Sequence, residues 1–273
     1  MKNFTKILSI FVVVLFVFSA CEKVSPPYKE SNNTEDNGKR VLLEEYTGHT
    51  CVNCPTATLV AHELKELYGE NLILMAVHAG SFADPHPGLF ENDYRTEAGN
   101  DWLTYFGIDQ FPSGMINRIP NAPGDYLVVR DKWGTKIAEE LAKDPVAEIK
   151  INNSFAGKTG TIEVNVKFLI ELEGEHKLFV GITEDSIVSA QKNNNPEIGD
   201  DIIKDYVFMH MFRGAVNGTW GEDIFNEAVQ ADKEYTKTYH YTLTGVPENS
   251  HVVAYVYDTD SKSILQVEEE DVK

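Results

Sequence analysis

Pro145 divides the chain into two kinds of hydrophobic pattern, and that change of period limits its fold more than any other feature. Before it, residues 40–143 alternate between strand and helix signals. "RVLLEEYT" reads as a short strand, and "PTATLVAHELKELYG" as a helix with Leu59, Val60, Leu64 and Leu67 on one face, stopped by Gly69. "NLILMAVHA" is apolar throughout, as expected of a strand covered on both sides. An irregular stretch from Gly80 follows, partly helical between Asn92 and Phe106; "SGMINRI" is then a short strand and "VVRDKWGTKIAEELAKD" a closing helix.

After Pro145 the period becomes two, in "VAEIKIN", "GTIEVNVKFLIEL", "HKLFVGITE", "YTKTYHYTL" and "HVVAYVYD", separated by turn signals such as "AGKTG" and "GVPENS". The first pattern predicts a small α/β domain over residues 40–144. The second predicts an all-β sandwich of immunoglobulin or fibronectin type over residues 145–273.

The N-terminus indicates the compartment. Lys2 and Lys6 precede an apolar run from Ile7 to Phe18, and Ser19-Ala20 stand before Cys21. A basic start, a short apolar core and small residues at a cleavage point predict a signal peptide over residues 1–20. The run is too short to cross ~30 Å of hydrocarbon, which takes about 20 apolar residues. The setting of Cys21 resembles a bacterial lipobox, which implies lipidation of Cys21 and a membrane partner through that anchor. Residues 21–39, rich in Pro, Asn, Ser and Glu, then read as a flexible tether. The net charge of −19 becomes −21 once Lys2 and Lys6 are removed, so nucleic acid is excluded as an expected partner.

"GHTCVNCPTA" carries Cys51 and Cys54, the only thiols besides Cys21. Cys51 follows a strand and Cys54 opens a helix, with Pro55 in its first turn. A thiol at a helix N-terminus feels free N–H groups and the positive end of the dipole, and its pKa falls from about 8.5 toward ~3.5–7.5. On this reading Cys51, exposed before the helix, is the attacking thiol and Cys54 resolves the mixed disulfide. Zinc needs about four ligands, and His49, His62 and His78 are poorly spaced to complete a set, so no metal and no cofactor is expected. A structural Cys51–Cys54 disulfide stays open, although so small a loop restricts little of the unfolded chain.

The strand–Cys-x-x-Cys–helix arrangement resembles the thioredoxin superfamily. That resemblance implies a thioredoxin-like fold for residues 40–144, a proton-transfer role for Glu45, six positions ahead of Cys51, and a cis-proline at Pro112 in "YFGIDQFPSGMIN". It also implies thiol–disulfide oxidoreductase activity on protein thiols or disulfides. Thr50 and Val52-Asn53 depart from the usual residues of that motif. Over nearly the whole mature chain, "EEYTGHTCVNCP", "VHAG", "RTEAG", "HMFRGAVNGTWGE" and "VVAYVYD" resemble the outer-membrane protein 28 family of Bacteroidetes lipoproteins. This second resemblance implies a lipid-anchored outer-membrane protein, facing the periplasm or the cell surface. The alternative function it leaves is a non-catalytic adhesion or binding module whose disulfide is vestigial.

Other residues carry weaker signals. His78 ends a core strand and could face the cysteines. Arg213, beside Gly214 and Gly218, suits a bulged loop, and His210 with Arg213 could bind a carboxylate. Trp220 reads as core or as a partner anchor, and Asp200, Asp201 and Asp205 offer oxygen ligands for calcium without the spacing of an EF-hand.

Overall fold

The computed structural model describes residues 37–224 and 229–273. The signal segment, Cys21 and most of the tether lie outside these residues. The protein is mostly β. Its strands are β1 (Val41–Thr47), β2 (Leu72–His78), β3 (Ser113–Ile116), β4 (Ala147–Ala156), β5 (Thr159–Phe168), β6 (His176–Glu184) and β7 (Ile187–Lys192). They continue with β8 (Ile202–Phe208), β9 (Met211–Ala215), β10 (Glu222–Asp223), β11 (Glu234–Thr242), β12 (Ser250–Asp258) and β13 (Ile264–Asp271). Among the described residues the α-helices are α1 (Cys54–Tyr68), α2 (Glu97–Tyr105) and α3 (Trp133–Leu141), all before β4.

One mixed sheet runs in the order β13-β12-β6-β9-β2-β1-β3, with β10 added on β6. It draws strands from both sides of Pro145. β1 and β2 are parallel from Val41↔Leu72 to Thr47↔His78, joined through α1. The two sides meet where Ala76 of β2 pairs Met211 of β9 and the Ala76 N–H donates to the His210 carbonyl at 2.8 Å. A three-stranded antiparallel sheet, β11-β5-β4, and a β7–β8 hairpin complete the strands.

Side-chain alternation explains how the layers stack. One face of the large sheet carries Leu42, Tyr46, Met75 and Val77, then Phe212, Phe179, Tyr255 and Val267, in one core with Trp102 of α2. On the opposite face Val41, Leu43, Leu72 and Leu74 pack against Ala57 and Ala61 of α1 and Trp133 and Ile137 of α3. Farther along that face Val180, Ile182, Val252 and Ala254 meet Ile149, Ile151, Val164 and Val166 of the three-stranded sheet. Each Val, Leu, Ile, Phe or Met side chain among them, fully buried, contributes about 1.5–3 kcal/mol.

Several boundaries differ from the sequence expectation for physical reasons. The buried residues of α1 are Cys54, Pro55, Ala57 and Ala61, whereas Leu59 and Leu67 are exposed. Small residues let the helix lie close on the sheet, with the expected Val60 and Leu64 packed at the edge of that contact and Leu59 and Leu67 outside it. β3 ends at Ile116 because Asn117 and Arg118 adopt left-handed backbone, φ 46° and 50°. α2 starts at Glu97, where the Thr96 hydroxyl accepts from the Gly99 N–H at 3.0 Å and caps it. The closing helix is shorter than "VVRDKWGTKIAEELAKD", since Arg130–Lys132 form a 3₁₀ turn.

Candidate functional site

Cys51 and Cys54 form a disulfide, with Cα atoms 5.5 Å apart. Cys54 is the first residue of α1, as the helix signals require. The loop before it is fixed by Gly48, whose carbonyl accepts from the Cys51 N–H at 3.0 Å. A Cβ at Gly48 would run into the backbone of Phe82 and Ala83, so this close approach needs glycine. Thr50 donates to the Phe82 carbonyl from its N–H at 3.0 Å and from its hydroxyl at 2.8 Å.

Cys51 is not exposed: it keeps 2% of its surface and Cys54 keeps 1%, while Val52 and Asn53 between them face solvent. The cover comes from the β7–β8 hairpin and its connecting loop. Gln191 donates from Nε2 to the Cys51 carbonyl at 2.9 Å, and the Lys192 N–H donates to the His49 carbonyl at 2.9 Å. The Asn194 N–H donates to the Val52 carbonyl at 3.1 Å, its Nδ2 reaches Asn53 Oδ1, and Asn195 Nδ2 reaches Thr56 Oγ1 at 3.3 Å. Buried Asn193 holds the loop's own curve by donating to the carbonyls of Asn195 and Gly199 at 2.7 and 2.9 Å. This segment is a strap over the disulfide, and its cross-links to residues 48–56 replace water at carbonyls that the loop geometry leaves unpaired.

Glu45 lies beneath the pair. Alternation along β1 puts it on the α1 side with Val41 and Leu43, at 4% exposure. Its carboxylate Oε1 accepts from the Thr58 hydroxyl at 2.9 Å. Burial pushes its pKa up to about 8, against a partial lowering by the Thr58 bond. Glu45 is therefore largely protonated at neutral pH. Tyr206 of β8 is likewise raised, to about 12, chiefly by burial and then by the Glu45 charge.

The Phe111–Pro112 peptide bond is cis. Pro112, Asn53, Thr56, Val129, Arg130, Asp131 and Asn194 line an open hollow of about 480 Å³ beside the motif. The structure thus joins Cys51 to Cys54, bonds Glu45 to Thr58 of the helix that Cys54 opens, and puts Pro112 with Asn53 of the motif on the lining of one hollow.

His78 lines the cavity that also holds Cys54 and Tyr206, and burial drives its pKa down to about 3, so its imidazole is neutral. His49 is tied to the Asp84 carbonyl at 3.0 Å and stacks on Phe90. Among the described residues no group of His, Cys, Asp or Glu is arranged to hold a metal ion, the Asp200–Asp205 segment included. Arg213 sits in a bulge, where pairing jumps from Ile182↔Gly214 to Thr183↔Phe212, and its Nε lies 3.1 Å from Glu184 Oε2. His210 turns toward Asp185, whose Oδ1 accepts from its N–H. Trp220 is partly buried against the large core, edge-on to Tyr105 at 4.9 Å.

Sequence reasoning missed the strap. "NNNPEIGDD" reads as a polar loop, and the flanking strands carry too little alternation to be seen. The run of three asparagines, rich in side-chain donors for carbonyls, was the available signal.

HBP35 of Porphyromonas gingivalis shares the fold: TM-score 0.65 and 17% identity, over 86% of this chain and 76% of that one. A domain of the outer membrane lipoprotein Omp28 from Porphyromonas gingivalis aligns at 21% identity over 48% of this chain and 91% of its own, with TM-score 0.33. No curated protein matches the chain. The family model for outer membrane protein Omp28 matches residues 100–273, from α2 through the strap to β13. That match takes in well over half of the sequence, and the chain belongs to the Omp28 family of the outer membrane, the place of a lipid-anchored envelope protein.

Proposed function

We propose that this envelope protein is a thiol–disulfide oxidoreductase working through Cys51 and Cys54. The observation that carries the reading is Glu45, a buried carboxyl with a pKa near 8, set under a disulfide that opens a helix. A group that titrates near the working pH can hand a proton to a leaving thiolate and take it back. Pro112 shapes the hollow where a partner's chain would lie.

In the exchange, a partner thiolate attacks Cys51 Sγ, the Cys51–Cys54 bond breaks, and its electron pair goes to Cys54 Sγ. Cys54 then takes a proton derived from Glu45. A second thiol of the partner, as thiolate, displaces Cys51 from the mixed disulfide, so the partner leaves oxidised and the pair is reduced. The reverse sequence oxidises the pair. Because the strap covers both sulfurs, attack requires the segment from Gln191 to Asn195 to lift.

The domain reading goes with this function: residues 40–144 as a thioredoxin-like unit, supported by the parallel β1–α1–β2 arrangement, and residues 145–273 as a sandwich, supported by the core between β4–β5 and β6–β12. Cleavage after residue 20, lipidation at Cys21 and a tether to residue 39 complete the proposal. Redox titration of the pair, with trapping of mixed-disulfide partners in Cys54→Ser, tests the activity. A pair that neither equilibrates with a dithiol in the folded protein nor traps a partner would overturn it.

The burial of both cysteines favours a second reading, a binding or adhesion module in which the disulfide only fixes the loop under the strap. Under that reading the Cys51→Ser, Cys54→Ser protein retains full function. Surface labelling of intact cells decides between an outward-facing and a periplasm-facing position.

A further inference from the structure

Two small enclosed cavities, each about 10 Å³ and roomy enough for about one water, flank the start of α1. The first is bordered by Glu45, His62 and His210, and the second by Cys54, His78, Gln191 and Tyr206. Glu45 borders only the first, and Cys54 only the second. Three residues border both: Thr58, Ala76 and Met209. Of these, only Thr58 carries a group that both donates and accepts a proton. Its place follows from helix geometry, since Thr58 is four residues beyond Cys54 and shares its face of α1. Its hydroxyl already donates to Glu45 Oε1 at 2.9 Å.

We infer that the Thr58 hydroxyl is the proton bridge between Glu45 and Cys54, a further catalytic residue for exchange at the Cys51–Cys54 pair. The inference rests on the oxidoreductase reading. When a dithiol's thiolate attacks Cys51 and the disulfide opens, Cys54 Sγ receives the electron pair. Because Glu45 is protonated, the 2.9 Å contact also runs the other way, with the carboxyl O–H donating to the Thr58 oxygen and the Thr58 hydroxyl turned to Cys54. Sγ then takes that hydroxyl proton as the carboxyl proton moves onto the Thr58 oxygen. Thr58 is unchanged at the end, Glu45 is left as a carboxylate, and solvent restores its proton before the next cycle.

Other groups around the two cavities are poorly suited to this step. His78 is neutral, its pKa pushed down to about 3 by burial, and holds no acidic proton of the needed strength. On the Glu45 side His62 and His210 are both shifted down by burial, His210 to about 4, so they too are neutral. Lys65 of α1 and Asp185 and His251 from the strand side act on His210. Tyr206 on β8 borders the cavity that holds Cys54 and hydrogen-bonds Thr58, but burial and the Glu45 charge hold its hydroxyl near 12, so it is the weaker acid of the two neighbours of Thr58.

The test uses the mature full-length chain and dithiothreitol, at concentrations where reduction is first-order in reagent. The rate is expressed per reagent thiolate across pH 6 to 10. The native protein is expected to slow about tenfold as pH rises through about 8, where Glu45 loses its proton. Thr58→Val is expected to be about tenfold slower below that pH and to lack the break, and Thr58→Ser to restore both. Thr58→Ala, which favours the helix and adds no bulk, replaces Thr58→Val should the valine variant not fold.

A Thr58→Val or Thr58→Ala protein with the native rate and the native break overturns the bridge, as does a Thr58→Ser protein that restores neither. Glu45→Gln separates the two claims. If it loses the break while the Thr58 variants keep it, the bridge fails and the role of Glu45 stands. If Glu45→Gln keeps the break, both fail.

Discussion

Gln191 donates from Nε2 to the main-chain carbonyl of Cys51 at 2.9 Å, joining residues 140 positions apart in sequence. Gln191 is itself 2% exposed, so this bond is out of water. Gln191→Ala leaves the Cys51 carbonyl without that partner and removes a link between strap and motif. A bond of this kind contributes about 1 kcal/mol, so opening of the strap should become roughly fivefold more frequent. The rate of Cys51–Cys54 reduction by dithiothreitol should rise by that factor, with the melting temperature falling by only a few degrees. An unchanged rate would mean that the disulfide is reached only by unfolding of the whole molecule.

Glu45 makes stability depend on pH. Its folded pKa is raised from 4.5 to about 8 by burial, so the folded state holds a proton that the unfolded chain has released. Between about pH 4.5 and 8 its contribution therefore falls as pH rises, by an amount on the order of 5 kcal/mol over the window. Glu45→Gln should flatten that part of a stability-versus-pH curve and leave the protein more stable than the native one above pH 8. Urea unfolding at half-unit intervals measures it.

His251 has the opposite chemistry and the same slope. Its hydrogen bond to Asp185, at 3.3 Å, is the largest cause raising its pKa from 6.5 to about 9, helped by Glu269 and by Asp271 at 3.0 Å. The folded state holds the proton more tightly, so its stabilisation is complete below pH 6.5 and is lost as pH rises through about 9. In His251→Gln, stability should no longer decline over that interval through this group. The difference between variant and native curves, measured in 0.15 M salt, should be largest below pH 6.5 and vanish above about 9.

Arg118 and Glu44 form an ion pair in the core, with guanidinium–carboxylate contacts of 2.5 and 2.7 Å. Both side chains are almost wholly buried, and the guanidinium lies 4.7 Å from the Trp102 ring centre and 5.2 Å from Tyr255. Removing one partner strands a charge, so Arg118→Met should destabilise by about 3–5 kcal/mol. The double variant Arg118→Met, Glu44→Leu should recover most of that loss, because it strands nothing. Chemical denaturation of the native protein, Arg118→Met, Glu44→Leu and the double variant completes the cycle.

Much of the strand–helix order was legible in the sequence because burial leaves a period. The whole of "HKLFVGITE" is β6, and "NLILMAVHA" contains the seven buried residues of β2. The cis bond before Pro112 and the burial of Glu45 agree with the frame that the motif supplies. What could not be read depends on contacts made at long range. β8, with exposed Ile202 and Val207, and β9, broken by a bulge at Arg213, show no clean alternation. The burial of Cys51 follows from a hairpin whose sequence gives no sign of its destination. The inward face of α1 was misread in part because the sheet selects alanines for close contact, and no local rule ranks alanine above leucine.

The chain enters the fold beside its own last strand. Gln266 of β13 accepts from the Arg40 N–H at 3.1 Å and donates to the Gly38 carbonyl at 2.7 Å, Lys39 reaches the Leu265 carbonyl at 2.5 Å, and Arg40 pairs with Glu268 at 3.0 Å. Beyond this clasp β1 lies between β2 and β3, inside the sheet rather than at its rim. A protein held by its N-terminal end feels any drag on its body as tension at that end. The clasp takes such tension first, and β1 then resists in shear along two neighbours, the loading direction in which hydrogen bonds must break together rather than one by one. Were the chain anchored at that end, the pull would meet the clasp first and an interior strand second.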